Sequence, residues 1–346
     1  ITILRNQAQV TLSPHTSINF IAGDNGACKT IILESIVVLS RGRSFRTTQA
    51  AELAGPDGKG FQVFASLRKD DKSVCRLGLE RSGKHWRARK DSVDLKQISQ
   101  LTRSLPLMLM EPNSHLLVSG TPDYRRKYLD WGVFHVEHGF LDIWSRFSRV
   151  LKQRNAALRN RDIDLLDSLD AVLSPVGTLL SEFREAFIDQ ITDQLRHLIS
   201  VMGHGLRHVG LTYDRGWHGH DYAESLKTGR DRDIERGMTQ QGPHRADLVL
   251  TSGDNLARAI LSRGEQKTLS AALLLAQATL IAQSGERPVI LLDDLASEFD
   301  RQHVQSVLEQ SLALGGQVWV SGTSVPDLPQ DHMVFHVEHG LVKEMV

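Results

Sequence analysis

The stretch GDNGACKT, residues 23–30, lies between a β-rich run, SINFIAGDNG, and the segment KTIILESIVVLS. In that segment Ile32, Leu33, Ile36, Val37 and Leu39 recur at helical spacing. Strand, glycine-bearing loop and helix in that order form the context of a phosphate-binding loop. The pattern G-x-x-x-x-G-K-[ST] asks for glycine just before the lysine, and here Cys28 occupies that place. In such a loop Gly23, Asn25, Gly26 and Cys28 supply backbone to a nucleotide, Lys29 reaches its β- and γ-phosphates, and Thr30 holds Mg²⁺. A cysteine brings a Cβ and a sulfur close to the nucleotide. Where the position needs φ > 0, the strain is about 1–3 kcal/mol.

Two later segments belong with this loop. VILLDD is an apolar strand delivering Asp293 and Asp294. The first suits Mg²⁺, which prefers hard oxygen ligands, and the second suits an attacking water. LSRGEQ, residues 261–266, precedes a long apolar helix and is similar to the ABC signature, in which Ser262, Arg263 and Gly264 would approach a nucleotide held by a second subunit. The same residues read equally as a capping box, with Ser262 as cap and Glu265 three positions later. ASEFD, ending at Asp300, follows the paired acids where ABC ATPases carry a further loop. The predicted catalytic set is Lys29, Asp293, Asp294 and Ser262, acting on ATP with Mg²⁺.

Thr30 and Ser262 stand 232 positions apart, far more than a compact transporter ATPase requires. The excess is a block of helical character. The expected fold is α/β: an ABC-type ATPase head with a mixed sheet, split by an inserted, mainly helical lobe. Boundaries are expected at 1–104 for the N-terminal part of the head, 105–235 for the insertion and 236–346 for the C-terminal part. Pro175 reads as lying near a helix start. FQVFASLR and SVCRLGLER read as antiparallel strands, and MVFHVEHGLVKEM as a terminal hairpin. The chain opens ITILRNQAQV without Met, which reads as a start inside a strand with a few residues preceding it.

Lys+Arg and Asp+Glu both number 41 in the 346 residues, so overall charge says nothing about a polyanionic partner. Two cysteines make no disulfide framework, no apolar run approaches the length of a membrane span, and no signal peptide is visible. A cytoplasmic location is expected, with no membrane partner.

The chain resembles the RecF family of bacterial recombination-repair ATPases over essentially its full length. GRSFRT, YRRKYLDWGVFHVE, VLKQRNAALR, GPHRADL, LSRGEQK and LLDDLASEFD carry the resemblance. It implies an ATP-dependent homodimer that binds double-stranded DNA and single/double-strand junctions. It also implies a weak DNA-dependent ATPase, a place in recombination, replication restart and the SOS response, and work with RecR, RecO and RecA-like partners. Two departures bear on activity. Cys28 is one. The other is Met108, which stands where related ATPases carry a Mg²⁺-sensing glutamine. A RecF-like scaffold with impaired nucleotide binding is the alternative reading; a transporter-type ATPase is disfavoured by the motif spacing.

Local charge marks a DNA-facing surface. Between Tyr124 and Arg161 nine basic residues face three acids, and RGRSFR adds more near the first helix. The candidates are Arg43, Arg46, Arg125, Arg126, Lys127, Arg149, Lys152 and Arg154, since phosphate contacts need only cations on a common face. VFHVEHG occurs twice, at 133–139 and 334–340, with unrelated flanks. His135 and His138 would share a helix face in the first copy, but no ligand cluster supports a metal there.

Overall fold

The computed structural model describes residues 2–5, 8–24, 29–47, 53, 60–69, 71–83, 85–202, 206, 208–323, 325, 332–338 and 341–345. The chain forms two compact units, Ile1–Pro112 with Ile281–Val346, and Asn113–Leu280. The first division falls a few residues beyond the change of character expected at 105. The second puts the LSRGEQ segment with the helical unit.

The first unit starts with β1 (Thr2–Arg5), β2 (Ala8–Thr11) and β3 (Ile18–Ala22), then α1 (Lys29–Arg41). It continues through β4 (Phe61–Arg68), β5 (Val74–Ser82), β6 (His85–Lys90), β7 (Val93–Asp94), α2 (Ser99–Ser104) and β8 (Leu107–Met110). One sheet runs β2-β1-β4-β5-β6-β7, antiparallel throughout. Its strands alternate inward Phe61, Val63 and Ala65 with outward Gln62, Phe64 and Ser66, as a half-buried sheet must.

The chain then enters the second unit. After α3 (Leu116–Ser119) come the long helices α4 (Pro122–Val136), α5 (Phe140–Asn160) and α6 (Leu166–Met202). Pro175 lies inside α6, not near its start. A proline ring cannot donate to the carbonyl four residues earlier, but Leu173, Val176 and Leu180 around it are buried, and that packing carries the helix through. The first VFHVEHG copy ends α4, so His138 falls beyond the helix and does not share a face with His135, which packs against Trp131 and Phe134. Among the described residues no cluster could hold a metal ion.

The rest of this unit is β9 (Val209–Asp214), α7 (Tyr222–Thr228), α8 (Arg230–Arg236), β10 (Asp247–Ser252), β11 (Asn255–Leu256), α9 (Ala257–Ile260) and the start of α10 (Arg263–Gln283). Strands β11-β10-β9 make a small antiparallel sheet, turned at Gly253, whose φ of +59° suits glycine.

Back in the first unit follow β12 (Val289–Leu292), α11 (Leu295–Glu298), α12 (Arg301–Ala313), β13 (Val318–Gly322), β14 (His332–Glu338) and β15 (Leu341–Met345). A second sheet is ordered β15-β14-β3-β13-β12-β8, with every pair parallel except the β14–β15 hairpin. The second VFHVEHG copy supplies β14, so one heptapeptide is helix in one place and strand in the other.

Helix α1 lies between the two sheets. Its Ile32, Leu33, Ile36 and Val37 join Ile21, Leu291, Trp319 and Phe335 of the parallel sheet in one core. Its Val38 and Leu39 join Val63, Leu77, Leu79 and Ala88 of the antiparallel sheet in another. Hydroxyls fix the helix end: Ser40 donates to Leu105 O (2.7 Å), and Thr102 donates to Ser40 O (2.8 Å).

Candidate functional site

Ligands of open α/β sheets bind beyond the carboxyl ends of parallel strands. At that edge here stand Gly23, just after β3, Asp293, just after β12, Ser321, in the last turn of β13, and Glu111, just after β8. The register aligns Ala22 with Gly322 and Met110 with Leu292.

Lys29 opens α1 and is buried. Its ammonium donates to the carbonyls of Gly23 (2.6 Å) and Asp24 (3.0 Å), at the root of the loop. Among the described residues it has no carboxylate within ion-pair distance. Thr30 follows in the same first turn. Asn25, Gly26 and Cys28 lie outside the described residues.

Asp293 is buried, and its backbone N–H donates to Met110 O (2.8 Å). The Ser321 hydroxyl donates to Asp293 Oδ1 (2.6 Å) and accepts from the Asp294 N–H (3.0 Å), so one serine sets both acids. Asp294 takes a left-handed conformation, φ 53°, which aspartate tolerates better than most residues. Burial pushes the Asp293 carboxyl above its ordinary pKa. The Ser321 hydrogen bond opposes this, the neighbouring Asp294 adds to it, and the cations Arg46 and Lys29 draw it back.

Sequence reasoning missed Ser321 and Glu111. An apolar run that ends in an acid, LPLMLME, carried the signal for Glu111. Met108, expected at the glutamine place, lies within β8 at 3% exposure, and its thioether offers no hard oxygen or amide to a metal or water. The residue that reaches the strand end is Glu111. Burial, then the charge of Asp293, raises its pKa to about 7, against the pull of Arg41.

In the second unit Ser262, Arg263 and Gly264 are exposed at the start of α10. The capping box forms: Ser262 N–H and Oγ both donate to Glu265 Oε2 (2.8 and 2.7 Å). Gln266 Nε2 donates to Leu261 O (2.8 Å) and fixes the turn from within. A Cβ added at Gly264 would meet nothing within 4 Å, so the space beside the first turn of α10 is unobstructed among the described residues. Asp300 caps α12 by accepting from His303 N–H (3.0 Å).

The basic candidates divide by burial. Arg154 is fully buried, with Asp170 and Asp233 each 2.6 Å away, and Arg125 is buried in a two-pronged pair with Asp247 (2.7 and 2.9 Å). Neither can face DNA; both hold elements of the second unit together. Arg126 is half-buried and donates to Ala246 O, while Lys127 is exposed beside Asp123. Arg43, Arg46, Arg149 and Lys152 remain exposed, and Arg46 also acts electrostatically on Asp293.

A parallel sheet with a loop lysine and an aspartate pair at its carboxyl edge, opposed by an antiparallel sheet across the loop helix, is the ABC-type ATPase head fold. Residues 2–323 match the family described as the RecF/RecN/SMC N-terminal domain. The chain is 38% identical over 351 residues to the DNA replication and repair protein RecF of Xanthomonas oryzae pv. oryzae (strain MAFF 311018), covering 98% of this chain and 97% of the relative. It is 39% identical over 350 residues to the protein of the same name from Stenotrophomonas maltophilia (strain R551-3), covering 98% and 96%. Among solved structures, that of the recombination mediator protein RecF with ATP, in the RecFOR pathway, superposes with a TM-score of 0.89 at 23% identity, over 100% of this chain and 96% of that one. The Smc head domain of Pyrococcus furiosus superposes with a TM-score of 0.58 at 13% identity, over 99% and 95%. The chain belongs to the RecF family.

Proposed function

We propose that this chain is an ATP-dependent DNA-binding protein of DNA replication and recombinational repair. The observation that carries the reading is Lys29 with Asp293 at one sheet edge, both buried and neither in an ion pair among the described residues. A buried charge without a protein countercharge fits a site whose ligand brings the missing charges.

Lys29 contacts the β- and γ-phosphates of ATP. Thr30 and Asp293 offer hydroxyl and carboxylate oxygens, the hard donors that Mg²⁺ takes. The ion supplies charge neutralisation at the transferred phosphate. Asp294, held by Ser321, orients water. Ser262, Arg263 and Gly264 of α10 present an exposed helix N-terminus to the nucleotide of a second copy, so that ATP joins two copies and hydrolysis releases them. Arg43, Arg149 and Lys152 serve DNA phosphates. RecO, RecR and a RecA-like recombinase are the partners, in the cytoplasm. Among the described residues no helix is long and apolar enough to cross a membrane.

Sedimentation with and without ATP tests the reading, on the chain and on Cys28→Gly. We expect ATP-dependent dimers in both, with Cys28→Gly needing less ATP by roughly 5- to 150-fold, the equivalent of about 1–3 kcal/mol of loop strain. Association of equal strength with and without ATP in both proteins overturns it.

A further inference from the structure

The motif GPHRAD, residues 242–247, has no part in the nucleotide site, yet it and the residues just before it are tied down by several side-chain and backbone hydrogen bonds. Buried Arg184 donates to Pro243 O (2.7 Å), Arg126 to Ala246 O (2.8 Å), and the buried Tyr222 hydroxyl to Gln241 O (3.3 Å). His244 Nε2 lies 3.0 Å from Thr239 O, and Gly242 N–H donates to Gly216 O (2.8 Å). Two glycines let the strands of this turn close on each other. A Cβ at Gly242 (φ +132°) would sit 2.1 Å from the Tyr222 hydroxyl, and one at Gly216 (φ +82°) would sit 2.5 Å from Ala246 N.

Two arginines and a buried tyrosine therefore immobilise one turn, and the side chain that this turn offers to solvent is Arg245. The guanidinium touches Met238 Sδ (3.8 Å), and among the described residues it has no carboxylate partner. A turn that only connected two elements would gain nothing from such bracing. A turn that presents a planar, two-pronged cation gains by not having to order it on binding.

The neighbourhood is cationic. Met238 follows Gly237, where a Cβ would lie 3.4 Å from Arg159 Cγ, and Asn155 of α5 accepts from Thr239 N–H (2.8 Å). On α5 the exposed Arg149, Lys152 and Arg159 fall within about 80° of the helix circumference, with Asn155 about 40° beyond Arg159. The stripe thus borders the 238–245 turn. From Arg149 to Arg159 it spans about 15 Å, the length over which duplex DNA presents roughly nine charges. That extent suits a polyanion better than one triphosphate.

We infer that Arg245 is a phosphate contact for duplex DNA, held ready by the braced turn at the end of the Arg149–Lys152–Arg159 stripe. The inference rests on the DNA-binding reading above and extends it to a residue and a surface.

The test is duplex binding by fluorescence anisotropy, with ATP, from 50 to 200 mM salt, using the full chain, Arg245→Ala and Arg245→Lys. We expect Arg245→Ala to bind about 5- to 20-fold more weakly and to lose about one unit from the slope of log affinity against log salt. Arg245→Lys should recover the slope but not the whole affinity, since it keeps the charge and loses the fork. Curves for Arg245→Ala that superpose on those of the unmodified chain overturn the inference alone. So does unchanged DNA binding with loss of ATP-dependent self-association, which assigns Arg245 to the nucleotide of a second copy. If the unmodified chain fails to bind duplex at all, the DNA-binding reading falls first and this inference with it.

Discussion

Among the described residues of the second unit each of the three buried arginines has its carboxylate: Arg125 has Asp247, Arg154 has Asp170 and Asp233, and Arg184 has Asp130 at 2.8 Å. In the first unit Lys29 is held by two carbonyls and Asp293 by one hydroxyl, without an opposite charge within ion-pair distance among the described residues. The two arrangements answer different needs. A neutralised buried charge has its cost covered inside the chain and serves as scaffold. An unneutralised one leaves the free protein less stable than it could be and reserves its field for something that arrives.

The contrast breaks most visibly at Arg154. Arg154→Ala strands the buried carboxylate of Asp233, while half-buried Asp170 keeps Arg230 (2.9 Å), and should cost about 3–5 kcal/mol in denaturant unfolding, while DNA affinity of the folded protein stays as it was. A protein of unchanged stability that binds DNA poorly would put Arg154 back on the surface. Next is pH. The Glu111 pKa is raised from 4.5 to about 7 in the folded chain. The folded state therefore holds this proton more tightly than the unfolded one. The stability from this group is complete below pH 4.5 and is lost as pH rises through 7, by about 2 kcal/mol after allowance for partial solvation. Glu111→Gln should abolish that decline in melts between pH 4.5 and 7.5; parallel profiles for the two proteins would refute it. The smallest effect is the most diagnostic. Asp293→Asn removes a buried charge but keeps an acceptor for Ser321, so the free protein should gain about 1 kcal/mol while ATP-dependent association disappears. A loss of stability would mean that Asp293 is scaffold as well.

Much of this was legible in the sequence. The helical spacing of Ile32, Leu33, Ile36 and Val37 marked α1, and the order of loop, LSRGEQ and VILLDD marked the head fold, because backbone periods and phosphate-binding turns are local properties. Counting arginines in a helical block failed because burial is not local. Yet a finer reading was available. Arg154 stands on the same stripe as Phe147, Val150 and Ala157 of α5, and Arg125 on that of Tyr128, Leu129 and Val133 of α4, at the three-, four-, seven- and eight-residue spacings of a buried face. Arg149 and Lys152 do not. Met108 was likewise within an unbroken apolar run, the mark of a strand buried on both faces, which left Glu111 to reach the edge. What no local pattern carried was the division into two sheets, or that Ser321 would serve both acids of a strand 28 positions earlier.

Helix α1 has a sheet on each side and almost no surface of its own: nine of its residues from Ile32 to Ser40 are buried without interruption. A rod gripped along its length cannot pivot privately. Any displacement that a phosphate imposes on Lys29 at its tip must be relayed into Ile21 and Trp319 on one flank or Leu77 and Leu79 on the other, which makes the antiparallel sheet, remote from the chemistry, a recipient of whatever happens at the loop.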